Sequence, residues 1–166
     1  LVAFRDPNGI RPLSIGKRKD SIMIASESSA LNALEFEILS SVAPGQAIII
    51  NESGKLIKRW ITRGNEHLPC LFEFVYFSRP DSNIDSISVH KTRLRMGDFL
   101  GAKVKNEYSN LDVDVVIPIP DTSRTAAMQV AYKIGVKYRE GFMKNRYIGR
   151  TFIMPGQSLR KRTVKQ

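Results

Sequence analysis

Asp121-Thr122-Ser123-Arg124 places a carboxylate, two hydroxyls and a guanidinium side by side. An apolar run, Val113 to Ile119, precedes them, and a helical pattern from about Thr125 to Ile134 follows. A polar turn at that position sits at a helix N-terminus. Backbone N–H groups there point at whatever binds, and the helix dipole favours an anion. A hydroxyl in such a turn can also ligate Mg²⁺, a hard ion that keeps waters and shares phosphate oxygens. Plain helix capping by Asp121, Thr122 or Ser123 explains the same residues, and spacing alone favours it.

A second candidate lies in the charge. The chain has 26 basic and 16 acidic residues, net +10. From Lys137 to Gln166 there are nine basic residues and one acidic one, so this tail carries +8 and the rest only +2. Lys144, Arg146 and Arg150 stand at its centre, in a stretch running to Gln157. Arginine holds phosphate with two prongs and lysine adds a point charge. Each charge-assisted hydrogen bond is worth roughly 1.5–3 kcal/mol. Three or four of them match the ~8 kcal/mol of micromolar binding to a polyphosphate. A solvated basic loop that touches nucleic acid is the plainer reading of the same composition.

The remaining reactive side chains are less informative. Cys70, the only cysteine, adjoins an apolar run and reads as a small buried hydrophobe. His67 and His90 have no partner at ligand spacing, and Asp112 and Asp114 flank a strand start. One cysteine excludes an internal disulfide framework and suits a reducing compartment, so a cytoplasmic protein is expected. No apolar run is long enough to span a membrane, and the first residues lack a signal-peptide pattern.

The elements that must position these groups fall into two stretches. Residues 1–69 read as β-rich. Strands are expected at Leu1–Arg5, Pro12–Lys17 and Ser21–Ser26, with a turn at Asp6-Pro7-Asn8-Gly9 and a short helix capped by Ser28. Gln46–Asn51 and Lys55–Ile61 flank Glu52-Ser53-Gly54 as a hairpin. The polar Arg63 to Pro69 marks the boundary. Beyond it, Leu71–Phe77 fits helix or strand, and Ser78–Ser86 reads as a loop. Ser88–Tyr108 has helical spacing, with Val89, Met96, Leu100 and Val104 on one face. Its Gly97 and Gly101 weaken the pattern or signal close packing. The run Asp112–Pro120, the polar turn, the helix and a strand at Val136–Glu140 make a βαβ unit. Ligands of such sheets sit at the carboxyl ends of the strands, here the Asp121 to Arg124 turn.

Four segments carry a resemblance. They are Asp6-Pro7-Asn8-Gly9-Ile10-Arg11-Pro12-Leu13, Phe77-Ser78-Arg79-Pro80-Asp81-Ser82, Ile117-Pro118-Ile119-Pro120-Asp121-Thr122-Ser123 and Lys144 through Gln157. In this order they resemble the glutamine phosphoribosylpyrophosphate (PRPP) amidotransferases. The resemblance implies an α+β / α/β chain. Residues 1–69 would be the C-terminal part of an N-terminal-nucleophile glutaminase sandwich. Residues 70–166 would be the first half of a type I phosphoribosyltransferase α/β domain. The chain would then be an internal piece of a longer protein.

The activity implied is the first step of purine biosynthesis. Ammonia from glutamine displaces pyrophosphate from PRPP and gives 5-phosphoribosylamine. Ser123 would be the Mg²⁺ residue of the PRPP site. Lys144, Arg146 and Arg150 would be contacts of a flexible lid, about Arg146 to Arg160, that closes over PRPP and excludes water. Gly149 and Gly156 suit a segment that moves, and Phe152 and Ile153 suit a seal. The nucleophilic cysteine would precede Leu1, and the acidic pair and phosphate loop would follow Gln166. No catalytic residue is therefore expected here, and the 166 residues alone should have neither activity. Partners implied are PRPP, glutamine, purine nucleotide inhibitors and further copies of the full-length chain. Nucleic acid and membrane are not implied. In relatives with an iron–sulfur cluster, one ligand falls at Cys70, but the Met154-Pro155-Gly156-Gln157 wording resembles the branch without it. A PRPP- or nucleotide-sensing protein on the same fold is the alternative, since fold does not fix function.

Overall fold

The computed structural model describes residues 1–145, 147–149, 151 and 153–165. Arg146, Arg150, Phe152 and Gln166 lie outside the described residues.

The first stretch forms two antiparallel sheets. Strands β1 (Val2–Phe4), β2 (Ser14–Arg18) and β3 (Ser21–Ala25) lead to helix α1 (Ser28–Ala33), then to β4 (Glu37–Ser41), β5 (Gln46–Ile50) and β6 (Leu56–Trp60). One sheet has the order β1-β5-β6 and the other β3-β2-β4. The β5–β6 hairpin pairs Ile50 with Leu56, as its Glu-Ser-Gly turn predicts. Ile15, Val42 and Ile48 are buried between the sheets, with Leu13, Ile22, Ile24, Ile50 and Leu56 packed against them. Strand β4 has no counterpart in the sequence reading. Ser28 does not cap α1 either. It is the first helical residue, and its hydroxyl accepts a bond from the Asn83 N–H at 2.7 Å.

The second stretch is helical with short strands. A π-helical turn (Glu73–Phe77) replaces the ambiguous apolar run. The expected loop contains β7 (Asn83–Ile84), which pairs with β8 (Ile87–Ser88) in a two-residue hairpin. Its central residues, Asp85 and Ser86, have φ of 47° and 68°. Both are left-handed, as a tight hairpin of this kind requires. Ser88 then caps α2 (Val89–Glu107) by accepting from the Lys91 N–H at 3.3 Å. Strand β9 (Val115–Val116), helix α3 (Arg124–Ile134) and β10 (Lys137–Tyr138) complete the βαβ unit, with β9 and β10 parallel. Helix α4 (Gln157–Val164), unanticipated, closes the chain.

The face by which α2 packs differs from its apolar pattern. Val89, Arg93, Gly97 and Gly101 are buried, whereas Leu100 is exposed. The reason is close approach. A Cβ on Gly97 would lie 2.5 Å from the Ala126 carbonyl oxygen, and one on Gly101 would lie 2.7 Å from Lys133 Cβ. The glycine stripe, not the leucine, therefore meets α3. Arg93 faces the π-helical turn, where its guanidinium donates to the Phe74 and Ser78 carbonyls, both at 2.8 Å. Phe74, Ile84 and Val89 form a second buried cluster with Met96 against it.

Polar bonds join the two stretches. Arg5, only 4 % exposed, uses all five N–H donors. It donates to the Arg11 and Val42 carbonyls at 2.8 Å, to Gly9 at 3.0 Å, and to both carboxylate oxygens of Asp85 at 2.8 Å. Arg11 pairs with Glu73 at 2.8 Å and stacks on the Phe77 ring. Glu27 accepts from the Arg79 N–H and the Ser82 hydroxyl at 2.9 and 3.0 Å. His67 lies 3.4 Å from Asp85 and against Gly9, so it has the partner that its sequence spacing did not reveal.

Two predictions follow from this architecture. Gly97→Ala should destabilise the protein by about 1–3 kcal/mol in urea denaturation, because overpacking against a backbone oxygen outweighs the helix-propensity gain. The second concerns acid. Burial raises the Asp85 pKa, but the Arg5 hydrogen bonds and charge, His67 and Ser41 together hold it below the ordinary 3.8. Burial likewise raises Asp6, and the Ile10, Arg11 and Asn8 N–H groups outweigh it. Both groups thus bind a proton more readily in the unfolded chain. Their stabilisation is full above 3.8 and is lost as pH falls through their lower folded values. Asp85→Asn should flatten the acid limb of a stability-against-pH curve, and an unchanged limb would exclude this cause.

Candidate functional site

The apolar stretch before the turn folds as strand β9 because its β-branched valines suit a half-covered sheet. The chain then turns through 121–123, where the Pro120–Asp121 peptide is cis. Helix α3 starts at Arg124 and stops at Gly135, whose left-handed conformation lets the Gly135 N–H bond to the Ala131 carbonyl. β10 then returns parallel to β9. The turn therefore stands at the carboxyl end of β9 and the N-terminus of an eleven-residue helix, where α/β sheets gather their ligands.

Ser123 is at the helix boundary, but no side chain caps α3. The plain capping expectation is thus corrected. The Ser123 hydroxyl instead donates to the Ile119 carbonyl, and the Ser123 carbonyl accepts from the Ala127 N–H at 2.8 Å. The Arg124 N–H donates to the Asp121 carbonyl at 3.4 Å, and no side chain takes the other first-turn N–H groups. No acidic residue occupies the first turn of α3 itself; the nearest carboxylates, Asp121 and Glu140, are both held by Arg124.

Arg124 gathers the surrounding charges. Its guanidinium lies 3.6 Å from Asp121 and 3.4 Å from Glu140. Asp121 belongs to the turn and Glu140 follows β10, so one cation links the ends of both strands. All three side chains are substantially exposed, and such pairs contribute only about 0–1 kcal/mol each. They can exchange partners at low cost when a ligand arrives.

The basic stretch leaves from the same edge. Gly141 lies so close to Ile117 that a Cβ would meet its Cγ2 at 2.7 Å. The chain leading to Lys144 therefore runs against the approach to the turn. Lys144 is exposed, as are Met143 and Tyr147. Of the expected contacts, Lys144 is exposed, while Arg146 and Arg150 lie outside the described residues. Gly156 has φ of 75° just before α4. Arg160 of α4 donates to the Met154 carbonyl at 3.0 Å, which folds the end of the stretch onto the helix.

The donor set bears on a metal ion. Asp121, Thr122 and Ser123 offer hard oxygens of the kind that suits Mg²⁺. They are too few for an all-protein cage, and no cluster of three or more His, Cys, Asp or Glu exists among the described residues. That fits an ion sharing phosphate and water oxygens. Cys70 is half-buried, and its N–H bonds to the Ile10 carbonyl at 2.9 Å. No helix among the described residues is long and apolar enough to cross a membrane.

Comparison with known proteins bears on the whole chain. No family model matches it. The chain is 56 % identical to an amidophosphoribosyltransferase of Pseudomonas aeruginosa and 55 % identical to that of Escherichia coli, in each case across 100 % of its own length. It is 47 % identical to the amidophosphoribosyltransferase of Saccharomyces cerevisiae. A solved glutamine PRPP amidotransferase from B. subtilis, complexed with ADP and GMP, superposes on 95 % of the chain with a TM-score of 0.76 at 43 % identity. A second structure, described as the allosteric regulatory enzyme of purine biosynthesis, covers 97 % with a TM-score of 0.79 at 42 % identity. The chain spans 34 % of the length of these curated relatives and 33 % of the two solved chains. Aligned along all of this chain, its curated homologues are amidophosphoribosyltransferases, and it is about a third of that family's length that its residues match.

Proposed function

We propose that the protein containing this chain is an amidophosphoribosyltransferase. It forms 5-phosphoribosylamine from PRPP and glutamine-derived ammonia at the start of purine biosynthesis. The observation that carries the reading is identity of 55–56 % with two such enzymes across the whole chain. Residues 1–69 are read as the end of an N-terminal-nucleophile glutaminase domain, and 70–166 as the start of a type I phosphoribosyltransferase domain. The separate apolar clusters of the two stretches support that boundary.

Under this reading the Asp121–Arg124 turn receives a phosphate-bearing part of PRPP at the N-terminus of α3. Ser123, with Asp121 beside it, would hold Mg²⁺. When bound, that ion neutralises charge on the departing pyrophosphate. Lys144 supplies positive charge from the flanking stretch, and Arg146 and Arg150 are proposed to do the same. The chemical task of these groups is electrostatic. Negative charge grows on pyrophosphate as its bond to the ribose breaks, and cations and N–H groups fixed beforehand lower that barrier. The stretch from Arg146 to about Arg160 is read as the lid that keeps water from the reacting carbon. Purine nucleotides are proposed as regulators, in line with the ADP and GMP held by the B. subtilis protein. A cytoplasmic homo-oligomer is the expected setting.

The full-length protein should form phosphoribosylamine from PRPP, Mg²⁺ and free ammonia without glutamine. A protein that binds PRPP but yields no product would instead be a sensor on the same fold. Lys144→Ala should raise KM for PRPP about tenfold, the loss expected of one charge-assisted contact. An unchanged KM would remove Lys144 from the site.

A further inference from the structure

We propose that Arg5 and Asp85 form a positioning clamp, which sets the sheet stretch against the α2–α3 helix pair and thereby against the Asp121–Arg124 turn. The inference rests on the proposed function only for what the two stretches do.

Four observations carry it. Arg5 takes three carbonyl acceptors from separate points of the sheet stretch, at Gly9, Arg11 and Val42, and two oxygens from Asp85. A planar guanidinium with every donor engaged has no freedom to reorient, so its direction is fixed by the sheets. Asp85 sits at the tip of the β7–β8 hairpin in a left-handed conformation. Three residues later the chain reaches Ser88, the cap of α2. Holding the hairpin therefore holds the first turn of the helix. The next joint is equally close. With glycines at 97 and 101, α2 adds no side chain at the contact and its backbone meets Ala126, Gln129 and Lys133 of α3 directly, and α3 begins at the turn.

The rest of the seam is directional as well. The Arg11–Glu73 pair, the bonds that Glu27 accepts from Arg79 and Ser82, and the Ser28–Asn83 bond all cross it. Each buried apolar cluster lies within one stretch and does not cross. Relative placement thus depends on hydrogen-bond geometry, which specifies angle, more than on apolar burial, which does not. Under the proposed function, the clamp aligns the ammonia-producing and ammonia-using parts without belonging to either.

Asp85→Asn in the full-length protein is the test. Asparagine tolerates the left-handed turn, and Arg5 keeps its three carbonyls, so the variant should fold. Its amide, however, turns an N–H₂ toward one Arg5 prong. Glutamine-dependent synthesis should fall about tenfold, the span of mutations that alter communication between sites. Ammonia-dependent synthesis and glutamine hydrolysis should each stay within about twofold of native, as for a substitution outside either site. A parallel fall in all three rates, or no change in any, would overturn the clamp. Hydrogen exchange provides an arm independent of the reading. Amides of residues 8–11 and 84–91 should exchange about tenfold faster in the variant, as for loss of a local bond of ordinary strength, with those of β5 unchanged. Unaltered exchange would overturn the clamp, whatever the enzyme does. A native protein that makes no product with ammonia would refute the proposed function, and the exchange result alone would then decide the clamp.

Discussion

One buried guanidinium constrains the rest of the molecule. Arg5 follows β1 directly and meets Asp85 across eighty residues of sequence. Arg5 is buried and Asp85 partly exposed, so losing the guanidinium costs more than losing the carboxylate, whose place water can partly take. Three carbonyls also depend on Arg5 besides the carboxylate. The turn that follows is built around the same point. Asp6 accepts the Asn8 and Ile10 N–H groups at 3.0 and 3.1 Å, which curls the chain so that the Gly9 and Arg11 carbonyls face the guanidinium. His67 packs against Gly9 and Asp85 from the other side.

From that point the architecture runs in short, stiff links to the candidate site. The hairpin fixes a helix cap, the capped helix packs by its glycines on a second helix, and that helix presents its N-terminus beside the ends of two parallel strands. The site itself is the opposite in character. Its charged side chains are exposed, its ion pairs are long, and its positive charge lies in a loop-rich stretch. A rigid frame with a loosely paired rim suits a site that must admit a highly charged ligand and then surround it.

Local chemistry made part of this legible in the sequence. The hairpin after Asn51, the Asp6 to Gly9 turn and the βαβ unit each follow from residues adjacent in the chain. Their boundaries shifted where strands were shorter than the apolar runs that announce them, as for β9. Strand β4 escaped because Glu37-Ile38-Leu39-Ser40-Ser41 does not alternate. On α2 the apolar pattern pointed to Leu100, but contact followed the smallest residues, since only glycine permits the backbone approach to α3. Helix α4 is largely polar and basic, so it offered no apolar stripe.

For the site, position was legible and partnership was not. The turn around Ser123 was located by the strand before it and the helix after it. That Ser123 turns to Ile119 rather than capping α3 depends on backbone geometry that sequence does not express. Arg5, Asp85 and His67 gave no signal, because each acquires its role only when distant segments meet. Charge counting did single out Lys144, which is exposed.

The central claim is that the 121–124 turn and the basic stretch from Lys144 to Gln157 close on one phosphate-bearing ligand. Hydrogen exchange of the full-length protein with and without PRPP and Mg²⁺ tests it directly. The account requires PRPP to slow exchange both at the first turn of α3 and between residues 144 and 157. Protection at neither segment, or at only one of them, would contradict it.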